Sequence, residues 1–289
     1  DLGLLTMITF KQFIVEGGNA VENVTHINQE NVAATMADIY KKLLPLLGLT
    51  TDDIRLLGST GKKKPGGHSG DIDMAVFIES LGKKFNTNDP KAIFRGVLSA
   101  AGKVSDSVRD LSSIGIVSLA YPIVNIDGLQ EGDRVQVDLM LSDNLSWSEW
   151  IFYSPAEWES NFKGLYRNSA LSAISHFAGR SGNDIEWKRK LLHFASGLHD
   201  VSFSKKGKKD KILKNGKEVS RQFIAKDPQS VIDVLLGPTF KAADILTWSD
   251  IWKAMSSPKF LWKAHKTDII ALIKTDIEHK GYPLPTEIK

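Results

Sequence analysis

The sequence Gly70-Asp71-Ile72-Asp73-Met74-Ala75-Val76-Phe77 joins a strand pattern to two closely spaced carboxylates. In an extended chain, residues at i and i+2 point to the same face, so Asp71 and Asp73 share one face while Ile72 turns into a core. Oxygen ligands at this spacing suit Mg²⁺, which prefers octahedral oxygen coordination and is often held partly by substrate phosphates. The stretch therefore predicts a strand with a magnesium site at its edge.

A glycine-rich loop precedes this strand and begins at Gly58-Ser59. Glycine allows a backbone to approach a ligand closely, and consecutive backbone amides form a nest for anions. We therefore expect the turn at Gly58 and Ser59 to hold the β- and γ-phosphates of a nucleoside triphosphate. His68 and the run Lys62-Lys63-Lys64 lie in the same loop, where they could contact phosphates or could face solvent.

The order of these residues, Gly58-Ser59 followed by Ser69-Gly70-Asp71-x-Asp73, resembles the nucleotidyltransferase superfamily of DNA polymerase beta. Family X polymerases are closest in motif form, because they also carry Ser-Gly before the first aspartate. The resemblance implies a metal-dependent enzyme with two Mg²⁺ ions, for which Mn²⁺ can substitute. It further implies that Ser69 and Gly70 bind the nucleotide together with the Gly-Ser turn, and that a later strand supplies a third carboxylate.

Asp138 meets that requirement on a second predicted strand, from Arg134 to Leu141. Apolar and polar residues alternate there, which places Asp138 on the face opposite Val137. Phosphoryl transfer gives an independent reason for three carboxylates, since two metal ions roughly 3.5–4 Å apart stabilise the attacking and leaving oxygens. We expect Asp71 and Asp73 to bridge both ions, and Asp138 to hold only the ion that activates the attacking hydroxyl.

The resemblance implies an α+β fold, with a nucleotidyltransferase palm made of a small mixed sheet with helices. Helical spacing covers 29–47 and 89–101, and strand patterns cover 54–57, 114–120 and 134–141. We predict three parts: an N-terminal segment over 1–27, a catalytic domain over 28–145, and a nucleotide- and acceptor-binding domain over 146–289. In the first part, residues 1–6 precede a native start at Met7, and 10–16 form a short helix.

The third part is predicted to be mostly helical, with one β-hairpin. Lys163 and Arg167 lie four residues apart ahead of Gly179, so they would share one helix face where two cations can reach a triphosphate. The alternative is an ordinary helix surface over an aromatic core. Family X polymerases carry a sugar-contacting segment in this region, but the chain matches it only loosely, and no sugar-binding role is transferred.

Positive charge is concentrated in a second lysine cluster, Lys205, Lys206, Lys208 and Lys209, which precedes the turn pair Asn215-Gly216. Asn-Gly between β-like runs is a strong hairpin signal, so we expect a lysine-rich ribbon. Such a ribbon could lie along a nucleic-acid backbone and bind the acceptor. It could equally be a solvated ribbon whose lysines protect its edge from aggregation.

Composition narrows the functional classes. The chain has 289 residues, 42% of them hydrophobic and 25% charged, with a net charge of +3, which permits a nucleic-acid partner without requiring one. No stretch approaches the ~20 apolar residues that span a bilayer, so no membrane partner is expected. The absence of cysteine excludes disulfides and thiolate metal sites, and together with the absence of a signal peptide it predicts a cytoplasmic location.

The leading functional prediction is transfer of an NMP or dNMP from a nucleoside triphosphate to an acceptor hydroxyl, with release of pyrophosphate. An RNA or DNA 3′-end is the first choice of acceptor, and a protein or small molecule is the alternative. A non-catalytic nucleic-acid-binding relative is a further alternative. The N-terminal pattern Ile14-Val15-Glu16-Gly17 also resembles head-protease sites of tailed-phage proteins, in which case the host cytoplasm would be the compartment.

Overall fold

The computed structural model describes residues 20–183, 186–204 and 217–289. The chain divides into two compact units, of which the first ends at Glu159 and the second covers Ser160–Lys289. Both units combine helices with strands, so the chain belongs to the α+β class. The helix predicted over 10–16 and most of the predicted N-terminal segment lie outside the described residues.

The first unit is a helix-covered sheet. Its elements are β1 Ile27–Asn28, α1 Gln29–Lys42, α2 Leu44–Leu47, β2 Ile54–Leu56, β3 His68–Ser69, β4 Asp71–Phe77, α3 Ile78–Phe85, α4 Pro90–Ala101, β5 Val108–Leu111, β6 Ile116–Pro122, β7 Arg134–Ser142 and α5 Leu145–Ile151. Five strands form a mixed sheet in the order β2-β4-β7-β6-β5. Only β4 and β7 pair in parallel, while the other neighbours are antiparallel. A parallel pair needs a long crossover, which the chain from α3 to β6 provides.

The core of the first unit lies on one face of this sheet. Alternate residues of the central strands, such as Ile72 of β4 and Val137 of β7, are fully buried in it. Helices α1 and α4 cover that face with residues that include Ile39 and Val97. Each such side chain contributes about 1.5–3 kcal/mol when fully buried. Because side chains alternate along a strand, the polar residues of β4 and β7 are collected on the other face.

The first unit extends past the predicted boundary at residue 145. Helix α5 follows β7 and contacts β2 and β4, so it belongs with the sheet. The backbone of Gly58 also forms a parallel bridge with Tyr153. The aromatic segment after β7 is therefore part of the first unit, because it packs against the strands that carry the aspartates.

The second unit contains more sheet than the single hairpin predicted from the sequence. Its elements are α6 Gly164–Phe177, β8 Ser181–Gly182, β9 Glu186–His193, β10 Gly197–Ser204, β11 Lys217–Ala225, α7 Pro228–Leu235, α8 Trp248–Ser256 and α9 Lys266–His279. Four of these strands form an antiparallel sheet in the order β11-β10-β9-β8. Strands β10 and β11 pair as far as Ser204 opposite Lys217, and the lysine cluster between them lies outside the described residues.

Candidate metal and nucleotide site

Three carboxylates meet on the polar face of the mixed sheet. The parallel register of β4 and β7 puts Asp73 directly beside Asp138, and Asp71 beside Gln136. One carboxylate oxygen from each of Asp71, Asp73 and Asp138 lies within 4.8 Å of the other two. Within the part of the chain that the structure describes, this is the one group of three or more His, Cys, Asp or Glu side chains close enough to hold a metal ion.

The aspartate cluster is electrostatically costly without a cation. Burial raises the pKa of the Asp73 carboxyl well above its usual range, and the negative charges of Asp71 and Asp138 raise it further. Like charges at this distance disfavour ionisation of one another, whereas a bound cation would favour the ionised form of all three. The donor set is entirely carboxylate oxygen, which suits Mg²⁺ or Mn²⁺ better than a soft metal.

Gln136 holds Asp138 from the neighbouring position on the same strand face. Its Nε2 donates to both carboxylate oxygens of Asp138, at 3.1 and 3.0 Å. Its Oε1 accepts from the backbone N–H groups of Ala20 and Val21, at 2.7 and 3.4 Å. The Gln136 side chain is fully buried, so these bonds fix the orientation of the amide and, through it, of the carboxylate. Sequence reasoning missed this residue, although the strand pattern already placed it on the face of Asp138.

Two buried hydroxyls lie at positions next to the aspartates. Ser118 of β6 is directly opposite Asp138 in the sheet register, and Ser69 of β3 precedes Asp71 by two residues. Both side-chain oxygens are buried and have no hydrogen-bond partner among the described residues. A buried hydroxyl without a partner costs free energy, and a bound ligand or ordered water would supply the missing partner. Ser69 was predicted from the resemblance, whereas Ser118 was not.

The loop before β4 is fitted tightly against Asp73. Gly58 has a φ of 63°, and a Cβ at this position would lie 3.1 Å from Oδ2 of Asp73. The left-handed backbone favours glycine at this position, and any side chain there would also press on the Asp73 carboxylate. The Gly58 N–H donates to the carbonyl of Phe152 at 3.1 Å. This bond corrects the prediction that the Gly58 amide binds phosphate, because that donor is already used within the chain.

Side chains of the loop after Ser59 bond to β4 and to the segment that follows α5. The Thr60 hydroxyl donates to the carbonyl of Asp71 at 2.9 Å, and the Lys62 ammonium donates to the carbonyl of Ser154 at 2.9 Å. Lys63 forms an ion pair with Glu157 at 3.2 Å. Two of the three consecutive lysines therefore anchor the loop. Ser59, in contrast, is partly exposed, and its carbonyl closes a turn by accepting from the Lys62 N–H at 3.1 Å.

Three further residues were predicted to bind the nucleotide: Gly70 in the first unit, and Lys163 and Arg167 in the second. Gly70 is exposed, and a Cβ placed there would meet nothing within 4 Å, so its backbone is open to a ligand. Lys163 is exposed and directly precedes α6, with its ammonium 5.2 Å from the centre of the Tyr282 ring. Arg167 is 0% exposed. Arg167 therefore lies inside the second unit rather than on an open helix surface beside Lys163, and its predicted role at a triphosphate stays a prediction.

Neither the protein-family models nor the curated proteins compared with the chain gave a match. No helix within the described ranges is long and apolar enough to cross a membrane.

Proposed function

We propose that this chain is a metal-dependent nucleotidyltransferase and that its first unit is a palm of the DNA polymerase beta-like kind. The observation that carries the proposal is the convergence of Asp71, Asp73 and Asp138 within 4.8 Å on two parallel neighbouring strands. The Gly-Ser turn adds to it, because Gly58 is held against Asp73. Phosphoryl transfer chiefly needs positioned charge, and the partly exposed Ser59 of this turn would be the group that contacts phosphate beside the carboxylates.

The residues present fit Mg²⁺, with Mn²⁺ as a substitute. Asp71 and Asp73 would hold two ions together, and Asp138 would hold the one next to the acceptor. Bound there, the ions would neutralise phosphate charge and lower the pKa of an attacking hydroxyl. The raised pKa of Asp73 supports this fit, because a cation offsets the burial and the repulsion that raise it.

The chain's own groups would position the reactants. Gln136 keeps the Asp138 carboxylate in one orientation through its two hydrogen bonds. The Ser69 hydroxyl, the open backbone of Gly70 and the turn at Ser59 are the groups available to triphosphate oxygens. Ser118, opposite Asp138, is available to the acceptor or to an ordered water. Such positioned donors act where charge develops, and they need no reorganisation during the reaction.

The proposed acceptor is an RNA or DNA 3′-end. Residues 180–226 carry a net charge of +8, which supports a polyanionic acceptor over a small molecule. The test is incubation with α-labelled NTPs or dNTPs, Mg²⁺, and separate pools of RNA, DNA and protein. Label should enter a nucleic-acid pool with wild type and with Glu79→Gln, an exposed acid in the same unit. It should not enter with Asp71→Asn or Asp138→Asn. Label in the protein pool alone would mean that the acceptor is a protein, while the transfer chemistry would stand. Equal labelling by all variants would show that the aspartate cluster is not the active site.

A further inference from the structure

Positive charge is concentrated in one part of the second unit. Between Arg180 and Lys226 the sequence has 13 lysines and arginines against 5 aspartates and glutamates, a net charge of +8. The whole chain carries only +3, so the remainder is net negative. The described residues of this segment include strands β8 to β11, and residues 205–216, which carry six of the lysines, lie outside the described residues. Such an uneven distribution is the electrostatic footprint of a polyanion-binding surface.

One face of this sheet interleaves aromatic rings with arginines. The register puts Trp187 beside Phe203, and Arg189 across from Arg221 with one strand between them. Trp187 and Phe203 stack with ring centroids 5.4 Å apart, and the Arg189 guanidinium lies 5.0 Å from the Phe203 centroid. Trp187, Phe203 and Arg189 therefore form a continuous row of flat groups on β9 and β10.

The outer strand continues this face with an exposed aromatic ring. Phe223 of β11 is 58% exposed and touches the buried ring of His199, at 5.8 Å between centroids. Arg221 lies two residues earlier and is paired with Glu218 through two hydrogen bonds, at 2.9 and 3.0 Å. A large aromatic ring that stays exposed to water gains little hydrophobic stabilisation, so an exposed ring such as that of Phe223 favours a partner that covers it.

Arg180, which directly precedes β8, lies near enough to Arg189 of β9 for the two charges to affect each other. Burial lowers the pKa of Arg189, and the charge of Arg180 lowers it further, while Glu218 acts in the opposite direction. The pKa of His176 is lowered to about 4, mainly by burial and further by the positive charges of Arg189 and Arg180. This imidazole is therefore neutral at pH 7. Two arginines that repel one another, with their nearby acid already paired to Arg221, favour an added anion.

We propose that this face of β9, β10 and β11 binds a single-stranded polynucleotide, with arginines on phosphates and a base stacked on Phe223. A single strand fits better than a duplex, because the exposed ring can stack only on an unpaired base. The role of the bound strand as the acceptor of the transferred nucleotide rests on the proposed function. The binding itself needs neither metal nor nucleotide.

The test is binding of fluorescent oligo(rU) and oligo(dT) of about 12 nucleotides, within the site sizes seen for single-strand binders, at several salt concentrations without Mg²⁺ or NTP. Phe223→Ala should weaken binding about 5- to 150-fold, the equivalent of one lost base stack. The double variant Arg180→Gln/Arg189→Gln should reduce the slope of log affinity against log salt by up to about 1.4, because each phosphate contact on a single strand contributes about 0.7.

Two matched controls separate this surface from general effects of charge and exposure. Lys253→Gln/Lys259→Gln removes the same charge from exposed lysines of and after α8. Trp158→Ala removes an exposed aromatic ring of the first unit. Both controls should bind like wild type. Preference for oligo(rU) or oligo(dT) would identify the sugar, and either supports the proposal.

Three results would overturn the proposal. They are no binding of either oligonucleotide by wild type at low salt, equal losses in the controls, and unchanged affinity in Phe223→Ala. If the double variant does not fold, protection of Arg180 and Arg189 from phenylglyoxal by oligo(rU) or oligo(dT), measured on wild type, takes its place. If neither oligonucleotide protects these arginines from the reagent, the proposed binding surface is refuted. Asp73→Asn should bind the strands as wild type does, so failure of catalysis and failure of this surface are distinguishable.

Discussion

Gln136→Leu removes the amide that connects Asp138 to the backbone of Ala20, with little change in volume. A hydrogen bond to a charged group contributes about 1.5–3 kcal/mol, and a buried donor left without a partner costs about 1–3 kcal/mol. The Nε2 atom of Gln136 donates to both oxygens of Asp138, which we count as one hydrogen bond to a charged group. The substitution also leaves the buried Ala20 N–H without an acceptor, which we count as one unsatisfied donor. Together they predict a loss of about 2.5–6 kcal/mol in the free energy of unfolding. Mn²⁺ affinity should fall about 10- to 100-fold, as for other residues that orient a metal ligand.

The assay is calorimetric titration with Mn²⁺, alongside urea unfolding of the metal-free protein. Gln130→Leu is the matched control, because Gln130 is another buried glutamine of the first unit that bridges backbone groups. Its Oε1 accepts from the Asn28 N–H at 2.8 Å, and its Nε2 donates to the His26 carbonyl at 2.6 Å. Gln130→Leu should lose comparable stability and keep its Mn²⁺ affinity. Wild-type affinity in Gln136→Leu, or an equal loss in Gln130→Leu, would refute the role of Gln136 in orienting Asp138.

Three further predictions concern single side chains. Asp73→Asn should raise the melting temperature of the metal-free protein at pH 7, because a carboxyl whose pKa is raised by folding stabilises the fold below its unfolded pKa and loses that contribution as pH rises; an unchanged or lower melting temperature in EDTA would contradict this. Gly58→Val should weaken Mn²⁺ binding, since its side chain would press on Asp73, whereas Gly66→Val, at a φ of 77° with open space around it, should cost stability without affecting the metal; equal Mn²⁺ affinities would contradict this. Burial lowers the pKa of His193 to about 4, so stability should fall as pH drops from about 6.5 towards 4, and His193→Gln should flatten that part of the melting profile; parallel profiles for the two proteins would contradict this.

The strands that carry the aspartates could be predicted because their signal is local. Alternation along Asp71–Phe77 and Arg134–Ser142 assigns each residue to a face, and α4 begins at Pro90 as its sequence indicates. The partners of Gln136 could not be predicted, because Ala20 and Val21 are more than a hundred residues away along the chain. Long-range register depends on the whole sheet, not on a local pattern.

The second unit was predicted less well, for two physical reasons. Strand β9 carries Lys188 and Lys190 on one face and Trp187 and Arg189 on the other, so polar residues on both faces hide its period. Helix α6 is buried on nearly all sides, and its small residues give no apolar stripe that would mark an outer face. The four-residue spacing between Lys163 and Arg167 therefore could not predict that Arg167 is buried.

The three aspartates are proposed to form a metal centre for nucleotidyl transfer. Pyrophosphate release tests this directly, measured from an NTP or dNTP mixture with Mg²⁺ or Mn²⁺ and total cellular RNA and DNA, for wild type and for Asp73→Asn. We predict metal-dependent release by wild type that is abolished by EDTA and by the substitution, while the variant remains folded. Release that persists in Asp73→Asn, or no release by wild type with either metal and any nucleotide, would contradict the assignment.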